Sequence, residues 1–232
     1  MGGTQHLGAH TSIAIVGAGG TGCALIPLLG ALQVEAITVI DGDTVEAKNL
    51  ARQLLYARAD VGRPKVQAAL DRMRPTTDHI TWVGHHHFLD AANCVKLLSG
   101  HTVVADCTDD LAVRALIERT CRALRIPLVS GAVHGHQVQV ITCAGVDHAR
   151  RTFFQGRPSE DQLGCDMRDV PAAVTMLTGS LMALRITDLL NGGDGLAGVM
   201  DLVDSARGRW MRIMGPEVGE FMDTPIDPAH HA

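Results

Sequence analysis

The 232-residue chain is long enough for one large α/β domain with a sizeable core. Hydrophobic residues make up 46% and charged ones 19%, an ordinary folded composition, and the net charge of -5 at pH 7 argues against nucleic acid as a partner. No basic-then-apolar leader is visible, and the longest apolar stretch, Val170 to Leu184, is interrupted by Thr175, Thr178 and Ser180 and is shorter than the roughly 20 residues of a membrane span.

Taken in chain order, Ser12 to Val16 is a short β-branched run that reads as a buried strand, and Gly22 to Leu32 has helical spacing. A second strand, Ala36 to Ile40, ends at Asp41. Pro64 marks a helix start, where its missing N–H costs nothing, and that helix is predicted to reach about Met73. Strands are then expected at Ile80 to Val83 and Thr102 to Ala105, a helix at Leu111 to Leu124, and strands at Pro127 to Ser130 and Gln137 to Thr142. Strands alternating with helices predict a mainly parallel sheet with helices on both faces. Residues 145–169 are charged and aperiodic, a long loop of the kind that is usually functional or mobile. A last apolar helix spans about Ala172 to Leu190, and the polar, Pro-containing residues 216–232 read as a tail. The six cysteines include no C-x-x-C pair, so no structural zinc is expected, and the thiols are read as reduced ones in a cytoplasmic protein.

Gly17-Ala18-Gly19-Gly20-Thr21-Gly22 follows the first strand and opens a helix. Glycines let backbone N–H groups come close to an anion, and a helix N-terminus adds partial positive charge. Asp41, at the end of the next strand, stands where an acidic residue can hold a ribose hydroxyl. Up to this point NAD and ATP fit equally, since Gly17, Gly19 and Gly22 also satisfy the dinucleotide pattern.

The stretch that follows, Asp41-Gly42-Asp43-Thr44-Val45 with Asn49-Leu50-Ala51-Arg52-Gln53, resembles the ThiF/MoeB/HesA and ubiquitin-activating family, whose hallmark is D-x-D-x-V-x-x-x-N-L-x-R-Q. The resemblance continues through Val61-Gly62-Arg63-Pro64-Lys65, Asp106-Cys107-Thr108-Asp109-Asp110 and Pro127 to Ala132, extends weakly to the helix from Pro171 to Leu190, and covers roughly Ser12 to Asn191. It implies a Rossmann-like, doubly wound fold with an antiparallel C-terminal portion: an arm at 1–11, one adenylation domain over 12–215 with a crossover loop at 145–169, and the tail. It also implies ATP- and magnesium-dependent adenylation of the C-terminal carboxylate of a small ubiquitin-like (β-grasp) protein, by a dimeric enzyme. ATP would meet Gly17, Gly19, Gly20, Gly22, Asp41, Asp43, Asn49, Arg52, Gln53, Lys65, Thr108 and Asp109.

The residue types suit that chemistry on their own terms. A terminal carboxylate, with a pKa near ~3.5, is already an anion at neutral pH and needs no general base. Bringing it to a triphosphate is an electrostatic problem, solved by positioned cations and a metal. Arg52 can grip two phosphate oxygens, Lys65 offers a point charge, and Asp109 suits magnesium, which takes a carboxylate together with phosphate oxygens. Asp43 is equally compatible with an Asx-type turn.

Three features depart from the family pattern. Residues 1–11 hold no arginine to act as the family's N-terminal finger, Asp110 stands where asparagine is usual, and zinc-binding cysteine pairs are missing. The plain N-terminus and absent zinc pairs look more like the mobile-element (PRTRC-type) ThiF proteins. Cys165 precedes the last helix, where a thiol is favoured as a nucleophile, and is a candidate for a thioester or persulfide step; one loop cysteine is also a common accident. His85, His86, His87, His134 and His136 read as solvated turns rather than a metal site, and Phe153 and Phe154 as either a peptide clamp or loop anchors. In the last helix Gly179, Ser180 and Ala183 are expected to admit a second helix, most economically that of another copy of the chain. Two rivals remain: an NAD-dependent oxidoreductase, which leaves Arg52, Lys65 and Asp109 without a task, and a non-catalytic nucleotide-binding scaffold, which the missing arginine favours.

Overall fold

The computed structural model describes residues 11–144 and 170–214. Eight strands form one sheet in the order β3-β2-β1-β4-β5-β6-β7-β8. β1 (Ser12–Val16), β2 (Ala36–Ile40), β3 (Thr81–His85), β4 (Val103–Asp106) and β5 (Leu128–His134) run parallel. β6 (Gln137–Cys143), β7 (Val199–Asp204) and β8 (Arg209–Met214) continue the sheet antiparallel, as the family resemblance implied.

Side chains alternate across a strand, so β1, β2, β4 and β5 feed two cores, while the edge strand β3 buries only Trp82. Ile13, Ile15, Ile37, Val39, Val103, Ala105 and Val129 face α1 (Gly20–Gly30), α2 (Lys65–Met73) and α5 (Ala172–Leu190). Ala14, Val16, Ile40, Val104 and Leu128 face α3 (Cys94–Leu98) and α4 (Leu111–Leu124). β1 lies between β2 and β4, so the chain turns one way out of β1 and the other way into β4. The crevice beyond the carboxyl ends of such a strand pair is where open α/β sheets bind ligands.

The predicted elements fall within a few residues of those observed. β5 runs on to His134, past the expected Ser130, because its second half pairs antiparallel with β6 through Gly135, whose φ is +54°. The short α3 and the strands β7 and β8 carried no sequence prediction of their own. All six residues of β8 are exposed, so its sequence shows no inside-outside alternation.

α5 is apolar enough over its 19 residues to match a membrane span by composition. In the fold it is a core helix. Val174, Leu181, Met182 and Ile186 are buried, and Arg185 is buried on an ion pair with Asp201. The expectation that Gly179 admits a helix from another chain is corrected here. A Cβ on Gly179 would stand 2.7 Å from the Cβ of Ala24, so the helix it admits is α1 of the same chain. The large apolar residues left exposed on these two helices are Leu28, Met176 and Leu184. Cys165, Phe153, Phe154, the crossover loop, the arm, the tail and its His230 and His231 lie outside the described residues.

Candidate active site

A cavity of about 610 Å³ opens at the carboxyl ends of β1, β2 and β4. Gly17, Gly19, Gly20, Asp41, Asp43, Asn49, Arg52, Gln53, Lys65, Thr108 and Asp109 all line it. Residues spread over more than ninety positions of sequence therefore meet at one site, and the triad Arg52, Lys65 and Asp109 is not dispersed.

The glycine turn has its shape for steric reasons. Gly17 has φ +93°, and a Cβ there would stand 2.9 Å from the Cys107 carbonyl group. Gly22 does not line the cavity; a Cβ on it would lie 2.1 Å from the Gly17 carbonyl oxygen. Its role is close packing of helix on turn rather than ligand contact, which refines the sequence reading. Gly19 caps α1 without any side-chain hydrogen bond, and no acidic residue occupies the first turn, so the helix start remains positive and open.

Asp41 bridges two loops. Its Oδ2 accepts from Ala18 N at 2.7 Å and its Oδ1 from Asp43 N at 2.7 Å. The Asx-type turn thus belongs to Asp41, not to Asp43. Burial raises the Asp41 pKa above its usual value, against the opposing pull of Lys65 and of the two backbone donors. Each carboxylate oxygen keeps a lone pair for a further donor such as a ribose hydroxyl.

Asp43 instead holds Lys65, whose Nζ donates to Asp43 Oδ2 at 2.7 Å. The Lys65 side chain is 6% exposed and that of Asp43 53%, so a buried cation leans on a half-solvated anion at the cavity rim. Arg52 is aimed by Asn49, whose Oδ1 accepts from Arg52 Nη2 at 3.0 Å while its Nδ2 donates to Glu46. Arg52 Nε and Gln53 Oε1 are buried without a hydrogen-bond partner among the described residues. An unpartnered buried guanidinium donor on this cavity is capacity that a ligand oxygen can fill.

Asp109 is exposed, on the loop between β4 and α4. That loop is braced from beneath. Asp106, 1% exposed, accepts from Thr108 N at 3.0 Å, Thr108 Oγ1 at 2.7 Å and Ser130 Oγ at 2.7 Å. Arg114 donates from Nε to the Thr108 carbonyl at 2.8 Å and also bonds the Gly131 carbonyl. Neither Arg114 nor the bracing role of Asp106 was foreseen. The available signal was an arginine sharing a helix face with Ile117 and Cys121, both buried.

Asp110, the departure from the family's asparagine, caps α4: its Oδ1 accepts from Val113 N at 2.9 Å. Either residue type performs that task, and the charge of Asp110 is placed at a helix N-terminus that favours it. Among the described residues no three of His, Cys, Asp and Glu are grouped to hold a metal. The donor set fits magnesium, which completes its shell with substrate phosphates and water around one carboxylate, here Asp109. Cys107 also lines the cavity, but burial and the neighbouring Asp106 push its thiol up, so it is a poor nucleophile. His136 is exposed in the turn after β5, as read from the sequence, whereas His134, also exposed, is the last residue of β5 rather than part of a turn, and His86 Nε2 is tied to the Gly42 carbonyl.

A doubly wound α/β domain with a lined crevice at its switch point is the class that these features define. The chain belongs to the ThiF family, whose profile matches residues 2–217. It is 36% identical to the maize adenylyltransferase and sulfurtransferase MOCS3-2 over 89% of this chain, and spans 44% of that longer protein. It is 35% identical to the molybdopterin-synthase adenylyltransferase of Escherichia coli K12 over 78% of this chain and 73% of the relative. Among solved structures, E. coli MccB with ATP shares the fold at a TM-score of 0.78 and 15% identity, over 89% of this chain and 65% of that one.

Proposed function

We propose that this chain binds ATP in the crevice and adenylates the C-terminal carboxylate of a small ubiquitin-like (β-grasp) protein. The single observation that carries this reading is the convergence of Arg52, Lys65 and Asp109 on the cavity that the glycine turn opens into. The adenylyltransferase names of the relatives support it. An NAD-dependent oxidoreductase would use the glycines and Asp41 and leave those three side chains idle.

In the reaction, a carboxylate oxygen attacks the α-phosphorus. An O–P bond forms, the bond from the α-phosphorus to the bridging oxygen breaks, and the electron pair leaves with pyrophosphate. Asp41 holds the ribose, and the backbone N–H groups at the start of α1 receive phosphate oxygens. Arg52 offers its unpartnered Nε to the same anion, and Lys65 exchanges Asp43 for phosphate as charge accumulates on the leaving oxygen. Asp109 would hold magnesium, which neutralises phosphate charge when bound. The chain acts as a homodimer, its self-association face being the exposed Leu28, Met176 and Leu184 on α1 and α5.

ATP–pyrophosphate exchange tests this, with a β-grasp protein ending in Gly-Gly supplied as the acceptor. Exchange is expected in the wild type and is expected to be abolished in Asp109→Ala, whose exposed side chain makes the fold insensitive to its loss. Tight ATP binding with no exchange in the presence of the true acceptor would instead leave a non-catalytic scaffold. Undiminished exchange in Asp109→Ala removes that carboxylate from the mechanism.

A further inference from the structure

The geometry points to Tyr56 as a positioning residue: acting through the Ala18 carbonyl, its hydroxyl aims the Gly19 N–H into the nucleotide cavity. The inference rests on the nucleotide site proposed above and concerns how that site keeps its shape.

Ala18 is fully buried, at 0% exposure, and does not line the cavity, whereas Gly19 does. The Ala18 residue is held at both ends. Its N–H donates to Asp41 Oδ2 at 2.7 Å, and its carbonyl oxygen accepts from the Tyr56 hydroxyl at 2.8 Å and from Cys23 Sγ at 3.5 Å. The Ala18 carbonyl and the Gly19 N–H belong to one planar trans peptide unit, so they point in opposite directions. Turning the carbonyl toward Tyr56 and Cys23 therefore turns the N–H away from them, on the side of the residue that lines the cavity. Among the described residues no hydrogen bond engages that N–H, which stands ready as a phosphate donor.

A clamp is needed because this peptide unit turns about the Ala18 Cα–C bond and the Gly19 N–Cα bond, and glycine rotates about its backbone at little cost. Without a fixed carbonyl the unit would sample orientations that present an oxygen, not a hydrogen, to a triphosphate. Both donors of the clamp stay protonated: burial pushes Cys23 up to about 12, and burial likewise drives the Tyr56 phenol upward. Tyr56 is 6% exposed and is not part of the cavity wall, so it acts through Ala18 rather than on the ligand. It is also tied to the segment that bears one of the site's two named cations, Arg52, since Tyr56 N donates to the Gln53 carbonyl at 3.1 Å. One stretch of chain thus supplies Arg52 and sets the turn that Arg52 faces.

The test compares MgATP with adenosine by calorimetric titration of wild type, Tyr56→Phe and Cys23→Ala. Adenosine carries the ribose and base but no phosphate. Tyr56→Phe is expected to weaken MgATP roughly 3- to 10-fold, the effect of one net hydrogen bond, with adenosine unchanged. Cys23→Ala, which removes the longer contact to the same oxygen, should show the same selective loss with smaller size. Equal weakening of both ligands in Tyr56→Phe means general loosening and overturns the inference, as does undiminished MgATP affinity. Should Tyr56→Phe fail to fold, Cys23→Ala decides: a parallel loss, or none, overturns it. A wild type that binds no MgATP removes the nucleotide reading itself, and the inference with it.

Discussion

Replacing Lys65 by methionine deletes one charge from the cavity while keeping an apolar stem of similar length. A cation about 4 Å from a phosphate charge, at an effective dielectric near 20, is worth on the order of 4 kcal/mol before competition. Competition is built in, because Lys65 Nζ already rests 2.7 Å from Asp43 Oδ2 and must give up that contact in part. Taking about half the gross figure leaves roughly 2 kcal/mol, or a rise of about 30-fold in the MgATP dissociation constant. The fold should tolerate the change. Asp43 is 53% exposed, so the partner it loses was worth at most about 1 kcal/mol, and Tm should fall by no more than about 4 °C. Calorimetric titration with MgATP and a thermal melt measure both quantities. Because Asp43 competes for the lysine, Asp43→Asn should move affinity the other way and tighten MgATP. A folded Lys65→Met that binds MgATP within threefold of wild type would refute the electrostatic reasoning.

Two further outcomes are expected. Asp201 is 1% exposed; burial alone would raise its pKa, but hydrogen bonds from Arg185, Arg212 and Trp210 outweigh it and hold the carboxyl below its usual value. Asp201→Asn should cost about 3 kcal/mol, since it leaves the buried Arg185 without a counter-charge. A carboxyl lowered in this way contributes stability in full above its unfolded pKa near ~4, and loses it as pH falls through the folded value. The Tm gap between wild type and variant should therefore hold from neutral pH down to about pH 5 and close below about pH 4; a gap that widens on acidification contradicts the assignment. Leu184, 67% exposed on α5, marks the proposed self-association face, and sedimentation velocity of Leu184→Asp should show a shift from dimer to monomer. An unchanged sedimentation coefficient would place the dimer contact elsewhere.

Much of the fold was legible in the residues because the relevant signals are local. The β-branched runs at Ser12–Val16 and Ala36–Ile40, and the helical spacing at Leu111–Leu124, announce themselves within one element. The candidate site was legible for a related reason: the glycine turn, Asp41, Lys65 and Asp109 fall at or near strand or helix ends, which are adjacent in a doubly wound sheet, whereas Arg52, on the long connection between β2 and α2, was legible only from its motif. Strand β8 was illegible because, at the sheet edge beyond β7, all six of its residues are exposed and leave no burial alternation to read. The apolar surface of α5 pointed correctly to a buried helix, but Gly179 was assigned to the wrong neighbour, since a small residue announces a close approach without saying by what.

By itself the sequence determined the order of the strands and helices from β1 to β6 apart from α3, and the glycine turn, and it nominated the charged side chains that meet at the crevice. The tertiary structure alone decided the pairings: Lys65 with Asp43, Arg114 beneath the Asp109 loop, Tyr56 on the Ala18 carbonyl, and Gly179 against Ala24. Hydrophobic periodicity reports how deeply a residue is buried. A buried polar group takes its partner from whatever the packing brings within hydrogen-bond reach, and that neighbour often lies dozens of residues away along the chain.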